Sequence, residues 1–254
     1  MANFFASLNW YLYKNTEGVF EDFWSHIVGY LKDYKYNLTG RCFNKTLNIN
    51  DLINKKSLGL GQICGLNLPK KDPSVVNYVG SFVSVDHEVK PGFYRSVIIK
   101  NKNNQSSNIE NLEAIINEID SYSGRFSLYR YFNKVFIRPN FKLEILSGSH
   151  LETIKLINSK INTVGAIDYL SWFNINKLSH DLTKNIKIIG FGMAMPSPPL
   201  ICSTTENRNF EKIIQKAVFE VFNDLKIKKA FNNIGIKDLI ILDRKEYDIF
   251  KTIY

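Results

Sequence analysis

The sequence lacks the long apolar run that a membrane-spanning helix needs, since no window of its 254 residues approaches about 18 consecutive apolar residues. Its first ten residues, MANFFASLNW, also lack the basic-then-apolar layout of a signal peptide. We therefore expect a soluble chain without a transmembrane segment, either cytoplasmic or exported with its signal already removed.

Cysteine is scarce, and Cys42, Cys64 and Cys202 are too far apart in sequence to define a disulfide framework or a metal-binding pair. Runs of Lys and Arg are absent, as is an RNA-binding signature with interleaved aromatic residues. The formal net charge of +9 is spread along a chain that is rich in Lys, Asn and Ile throughout. We interpret it as scattered surface charge that does not bind nucleic acid but can attract a small anion.

Strands and helices alternate in two rounds, which predicts an α/β protein. The first round runs from the apolar stretch Phe4 to Leu8 to the glycine-rich turn GLGQICG, and the second covers the middle of the chain. The tail predicts one amphipathic helix from Phe210 to Phe222, a strand at LIIL and a last short helix. We predict two α/β lobes joined by two crossings, with one lobe formed by 1–94 and 192–254 and the other by 95–191.

Three strands of the middle lobe end in unusually polar junctions. Ser121 and Ser123 follow the first of these strands, Ser149 and His150 follow the second, and Asp168 follows the third. Because parallel strands point the same way, these junctions should meet at one edge of the sheet, where open α/β folds bind ligands.

The stretch NEIDSYSGRF places two hydroxyl groups and Gly124 at the start of a predicted helix. A helix N-terminus with two hydroxyl donors, and a glycine that lets the backbone approach, can bind a tetrahedral oxyanion without a lysine or arginine. The alternative is ordinary N-capping by the two serines, with His150 at a helix start or in the core. Asp168 would repel a dianion, so it would have to bond a protonated oxygen or orient His150.

Several motifs, in this order, resemble those of the phosphonate-binding branch of the type II periplasmic solute-binding proteins, the receptors of ABC importers. FYRSVIIK is similar to the family's hinge strand, DSYSG to its anion loop and SGSHLETI to its Ser/His helix start. GAIDYLSW and MPSPPLICS resemble the returning segment, while LNWYLY and GQICG resemble features of a subgroup without an obvious export signal.

The resemblance implies two lobes that close a cleft on a small oxyanion such as phosphate, phosphite or a phosphonate. It also implies a monomer that is periplasmic or lipid-anchored, with an ABC permease as partner, no enzyme activity, and neither cofactor nor metal. On the middle lobe and hinge, the matching ligand-binding positions are Tyr94, Ser121, Tyr122, Ser123 and His150. On the opposite lobe, the wall would include Trp10, Tyr11, Gln62 and Cys64.

Two departures from the family narrow the ligand class. Typical members place a tyrosine where GQICG stands, and those that accept an aminoalkyl group carry an acid in a later loop that here reads Pro196, Ser197, Pro198, Pro199. An aminophosphonate is therefore not expected.

Other functions stay open at the level of sequence. Ser123, His150 and Asp168 are the residue types of a hydrolytic triad, although Ser123 is not in a G-x-S-x-G elbow. Cys64 is a candidate nucleophile or a small buried thiol. GLGQICG lacks the spacing of a dinucleotide-binding loop. Aromatic side chains could instead hold a flat heterocycle such as a thiamine pyrimidine; those available are Trp10, Tyr11, Trp172 and Phe173.

Overall fold

A computed structural model of the chain describes residues 3–11, 13–34, 36–39, 42, 48–106, 108–205 and 209–253. They divide into two compact units: unit 1 comprises Met1–Val85 and Pro196–Asp248, and unit 2 comprises Asp86–Met195 and Ile249–Tyr254. The chain passes between the units at 85/86 and 195/196, and a third passage at 248/249 adds the last residues to unit 2.

The strands, in chain order, are β1 (Asn3–Ser7), β2 (Asn37–Thr39), β3 (Leu58–Gln62), β4 (Val76–Ser84), β5 (Phe93–Tyr94), β6 (Ser96–Asn101), β7 (Glu113–Ile116), β8 (Leu143–Leu146), β9 (Thr163–Asp168), β10 (Ile186–Phe191), β11 (Met195–Pro196), β12 (Pro199–Ser203) and β13 (Ile236–Ile240). The α-helices are α1 (Glu17–Leu31), α2 (Ile49–Asn54), α3 (Ser127–Asn133), α4 (His150–Ser159), α5 (Tyr169–Leu178), α6 (Asn209–Phe222) and α7 (Leu225–Asn233). Short helical segments of other types occupy Lys32–Tyr34, Gly65–Lys70, Ile109–Asn111, Tyr122–Phe126, His180–Leu182 and Arg244–Ile253.

Unit 1 contains a six-stranded mixed sheet in the order β13-β4-β12-β3-β1-β2. β1 is parallel to β2 and β3, whereas β12 is antiparallel to β3 and β4, and β13 is antiparallel to β4. Phenylalanine rings from three helices fill its core: Phe231 of α7 has ring centroids 5.1 Å from both Phe23 of α1 and Phe222 of α6.

The prediction of a single helix before the final strand is wrong, because α7 follows α6. Helix α6 ends at Phe222, and Asp224 caps α7, because its carboxylate accepts hydrogen bonds from the backbone N–H groups of Lys226 and Ile227 at 2.9 and 3.1 Å. GLGQICG also differs from the predicted turn, since strand β3 continues through it to Gln62. Ser107 and Glu110 have the spacing of a capping box, but Ser107 lies outside the described residues, and Asn108 caps the 109–111 segment.

Unit 2 contains a five-stranded sheet in the order β10-β6-β9-β7-β8. All six residues of β9 are buried, as expected for a strand near the centre of a sheet covered on both faces. β7 is parallel to both β8 and β9, whereas β6 is antiparallel to β9 and β10. The carboxyl ends of β7, β8 and β9 therefore meet at one edge of the sheet.

Among the described residues, no helix combines the length and the apolar character that crossing a bilayer requires.

Candidate functional site

The polar junctions that follow β7, β8 and β9 lie together at the edge of the sheet in unit 2. The backbone N–H of Ser147, after β8, donates to the carbonyl of Ile116 at the end of β7 at 2.8 Å. The next N–H, that of Gly148, donates to the carbonyl of Asn117 at 2.9 Å. These two bonds join the first junction to the second.

Ser121 caps the first helical turn, because its Oγ accepts a hydrogen bond from the backbone N–H of Gly124 at 3.1 Å. The turn Tyr122–Phe126 is π-helical, with the N–H of Phe126 reaching back five residues to the carbonyl of Ser121 at 3.2 Å. Such wide turns are rare in proteins, and those that do occur are often found at functional sites. Position 124 has room only for glycine, since a Cβ there would lie 1.7 Å from Oδ1 of Asn117.

Ser123, His150 and Asp168 form a buried cluster across the three junctions. The Oγ of Ser123 lies 3.0 Å from Nε2 of His150, and the same nitrogen lies 3.3 Å from Oδ2 of Asp168. The side chains of His150 and Asp168 are 10% and 4% exposed. The other carboxylate oxygen of Asp168 accepts the backbone N–H of Ser171 at 3.0 Å and so caps α5. Asp168 thus lies where it can orient His150, one of the two roles that the sequence leaves open.

The protonation of His150 follows from its surroundings. Burial lowers the pKa of its imidazole, and the nearby Asp168 opposes that shift without reversing it. The ring is therefore neutral at pH 7, and the Asp168 carboxylate beside Nε2 favours the tautomer with the single ring hydrogen on that nitrogen. In this tautomer the hydrogen faces both the Asp168 carboxylate and the Ser123 oxygen, and the hydroxyl hydrogen of Ser123 can be donated to another acceptor. Nδ1 of His150 is buried and has no hydrogen-bond partner among the described residues.

Of the two tyrosines predicted for this site, Tyr122 begins the π-helical turn and Tyr94 packs against it. Tyr122 is fully buried, and its hydroxyl donates to the carbonyl of Met193 at 2.8 Å, so its side chain belongs to the core of unit 2. Tyr94 is buried on β5, and its ring packs edge-on against Tyr122 with centroids 6.1 Å apart.

Four other predicted residues belong to unit 1. Tyr11 is buried and stacks on Phe20 with ring centroids 6.4 Å apart. Gln62 is buried on β3, and its side chain donates to the carbonyl of Pro198 at 3.2 Å. Cys64 is buried, is not in a disulfide and precedes the 65–70 segment, and Trp10 is half-buried. The described contacts of Tyr11 and Gln62 are thus a ring contact and a hydrogen bond within unit 1.

The aromatic residues of α5 do not form a stacking site in the described contacts. Trp172 and Phe173 are both half-buried, and Nζ of Lys177 lies 4.4 Å from the centre of the Phe173 ring. Among the described residues, His, Cys, Asp and Glu also do not gather in a group of three that could hold a metal ion.

Arg125 is a residue of this region that the sequence analysis does not single out, although it directly follows Gly124. Its Nε donates to the hydroxyl of Tyr129 at 2.8 Å, its Nη1 donates to the carbonyl of Ile119 at 3.1 Å, and its Nη2 lies 3.2 Å from Oε1 of Glu144. Tyr129 in turn donates to the other oxygen of Glu144. Burial, together with the bond to Glu144, raises the pKa of Tyr129 to about 12. The spacing of Arg125 and Tyr129, four residues apart, is the signal that could have indicated the pair.

Solved structures of periplasmic binding proteins are similar to the whole chain. PhnD1 from Prochlorococcus marinus in complex with methylphosphonate has a TM-score of 0.73 at 20% identity, with 99% of this chain and 96% of that chain covered. A binding protein component of an ABC phosphonate transporter from Pseudomonas aeruginosa has a TM-score of 0.74 at 15% identity, with 98% and 84% covered. A Candida albicans protein described as having the generic periplasmic binding protein fold has a TM-score of 0.59 at 14% identity, with 99% and 80% covered.

No family model matches the sequence, and no curated protein matches it. The structural similarity extends over nearly all of the chain, whereas the identities stay at or below 20% in these three cases. The predicted fold class is confirmed: the chain has the mixed α/β fold of the periplasmic binding proteins.

Proposed function

We propose that the protein binds a small tetrahedral oxyanion, such as phosphate, phosphite or a phosphonate, and releases it unchanged. The observation that carries this proposal is the contact of Ser123 with a buried His150 at 3.0 Å, beside a capped helical turn at the strand ends of unit 2. In this proposal the Ser123 hydroxyl, the backbone of the turn at Tyr122 and the hydroxyl of Tyr94 donate to the anion. Neutral donors of these kinds bind oxyanions at helix N-termini without a neighbouring cation.

The atoms that meet at His150 argue against a hydrolase. In a Ser-His-Asp triad, one ring nitrogen takes the proton of the serine while the other donates to the acid. Here Ser123 and Asp168 both contact Nε2, and Nδ1 has no hydrogen-bond partner among the described residues. The ring cannot pass a proton between them in this arrangement, which supports binding without turnover.

The structural neighbours support the ligand class and suggest a partner. One is a methylphosphonate complex, and another is by its description the binding component of an ABC phosphonate transporter. We therefore propose that the protein delivers its anion to an ABC permease and works outside the cytoplasmic membrane, in the periplasm or held by a lipid anchor.

Calorimetric titration of the wild-type protein with phosphate, phosphite, methylphosphonate and sulfate tests the proposal. At least one of these oxyanions should bind, and Ser123→Ala should weaken that binding by about 1 to 3 kcal/mol because a buried anion oxygen loses a donor. Ser159→Ala is the matched control, since it removes an exposed hydroxyl from the far end of α4 in the same unit.

Three outcomes would contradict the proposal. They are the absence of binding by every oxyanion, an unchanged dissociation constant in Ser123→Ala, and binding of a thiamine pyrimidine in place of the anions. Ester hydrolysis that is abolished by Ser123→Ala would favour the hydrolase instead.

A further inference from the structure

Arg125 lies in the turn that carries Ser123, and each of its three guanidinium nitrogens contacts a group of the protein. It contacts one group on each of three segments: the Ile119 carbonyl in the loop after β7, the Tyr129 hydroxyl on α3 and the Glu144 carboxylate on β8. Its side chain is 23% exposed and that of Glu144 is 18% exposed, so water competes only partly for this ion pair, whereas the hydrogen bond to Ile119 is exposed.

The contact between Arg125 and Ile119 lies in the segment that leads into the proposed anion site. Ile119 is two residues before Ser121, which caps the π-helical turn, and four residues before Ser123, which contacts His150. The side chain of Ile119 is 58% exposed, so apolar packing contributes little to holding this residue. The hydrogen bond from Arg125 to the Ile119 carbonyl is therefore the described contact that can restrain this residue.

The positive charge of Arg125 is balanced where it lies. Glu144 faces Arg125 at 3.2 Å and Arg138 at 3.8 Å, and it also accepts a hydrogen bond from Tyr129. Burial would lower the pKa of Arg125, but Tyr129 and Glu144 more than reverse this and raise it. A guanidinium held in this way can keep several acceptors in fixed relative positions, since its planar fork donates to all of them at once.

We propose that Arg125 is a positioning residue of the anion site: it holds the carbonyl of Ile119 and so keeps Ser121 and Ser123 in place. The effect on binding rests on the proposed function, whereas the effect on the order of the loop does not.

Arg125→Lys separates geometry from charge, because lysine keeps the charge beside Glu144 but cannot donate to Ile119, Tyr129 and Glu144 together. We expect both Arg125→Lys and Arg125→Ala to weaken the binding of phosphate or methylphosphonate by at least about tenfold, which corresponds to about 1.4 kcal/mol. Arg138→Ala is the matched control. It removes a charge from the same Glu144, while its other described contact is with the carbonyl of Phe141 and not with the loop. Its affinity should stay within about twofold of the wild type.

The proposal would be overturned if Arg125→Lys bound the anion with wild-type affinity, or if Arg125→Ala and Arg138→Ala lost equal amounts of affinity. Either result would show that the charge, and not the hydrogen-bond geometry, is required. An unchanged affinity in Arg125→Ala would also overturn the proposal.

Hydrogen exchange without any anion provides a second, independent readout. The amides of 117–124 should exchange faster in Arg125→Lys than in the wild type, whereas Arg138→Ala should leave them unchanged. Equal exchange in the wild type and Arg125→Lys would refute the positioning role. If the wild type binds none of the oxyanions, the proposed function fails, while this comparison still decides the role of Arg125.

Discussion

At the scale of single residues, His150 determines the charge of the candidate site. Its side chain is 10% exposed, and burial lowers its pKa, so the imidazole that contacts Ser123 is neutral. The nearby Asp168 favours the tautomer with the hydrogen on Nε2. The Ser123–His150 pair thus offers oriented hydrogen atoms rather than a full positive charge, which is what the proposed binding and release of a small oxyanion would require.

The protonation of His150 predicts how the stability of the protein depends on pH. Below the ordinary histidine pKa of about 6.5, the unfolded chain takes up a proton that His150 in the folded protein does not, because its folded pKa is lowered. The free energy of unfolding should therefore fall as the pH drops below this value, by at most about 1.4 kcal/mol per pH unit from this one group. Asp168 is the charged group in described contact with the ring, and its attraction moderates the loss.

Urea unfolding between pH 5 and pH 8 measures this effect. His150→Gln should show a shallower fall than the wild type, and His180→Gln, which removes an exposed histidine, should follow the wild-type curve. Parallel curves for the wild type and His150→Gln would contradict the neutral assignment.

At the scale of secondary-structure elements, the serines at the sheet edge have two different roles. Three side chains cap successive helices: Ser121 accepts from Gly124, Ser149 from Glu152 at 3.2 Å, and Asp168 from Ser171. N-capping and anion binding, which were considered above as alternatives for the two serines, are therefore compatible. The Ser121 oxygen caps the helical turn in which it lies. Ser123 lies in that turn and contacts His150 at the start of α4.

The capping role of Ser149 predicts a specific loss of stability. Ser149→Ala leaves the N–H of Glu152 without its partner and should lower the free energy of unfolding by about 1 kcal/mol. Ser149→Asp should restore most of it, because a carboxylate caps equally well and interacts favourably with the helix dipole. Denaturant unfolding without anion is the measurement, and equal stabilities of Ser149→Ala and the wild type would rule out the cap.

The sequence predicts the elements around the site because their signals are local. An apolar strand followed by Ser149 and Glu152, or by Asp168, indicates a strand end and a helix start within a few residues. The π-helical form of Tyr122–Phe126 and the contact of Arg125 with Glu144 depend on residues brought together by the fold. Gln62 was missed as a strand residue because Gly59 and Gly61 read as a turn, although antiparallel β12 pairs with that segment from distant sequence.

At the scale of the whole molecule, the net charge of +9 would act on an anion at long range, whereas the residues of the candidate site would act on it only in contact. The chain has 33 Lys and Arg residues against 24 Asp and Glu residues. In the described contacts, however, the cluster of Ser123, His150 and Asp168 includes neither Lys nor Arg. Positive charge can therefore attract an anion from a distance without holding it once it is bound.

This separation predicts that salt changes the rate of association and leaves dissociation nearly constant. Raising the ionic strength from about 0.01 M to about 0.15 M shortens the screening length from about 30 Å to about 8 Å. The association rate constant of phosphate, measured by stopped-flow, should fall several-fold over that range. The dissociation rate constant should change little, because short hydrogen bonds from neutral donors in a buried site are weakly screened. A dissociation rate that rises with salt as strongly as association falls would indicate a cation in direct contact with the bound anion, and would contradict a site built from Ser123, His150 and backbone donors.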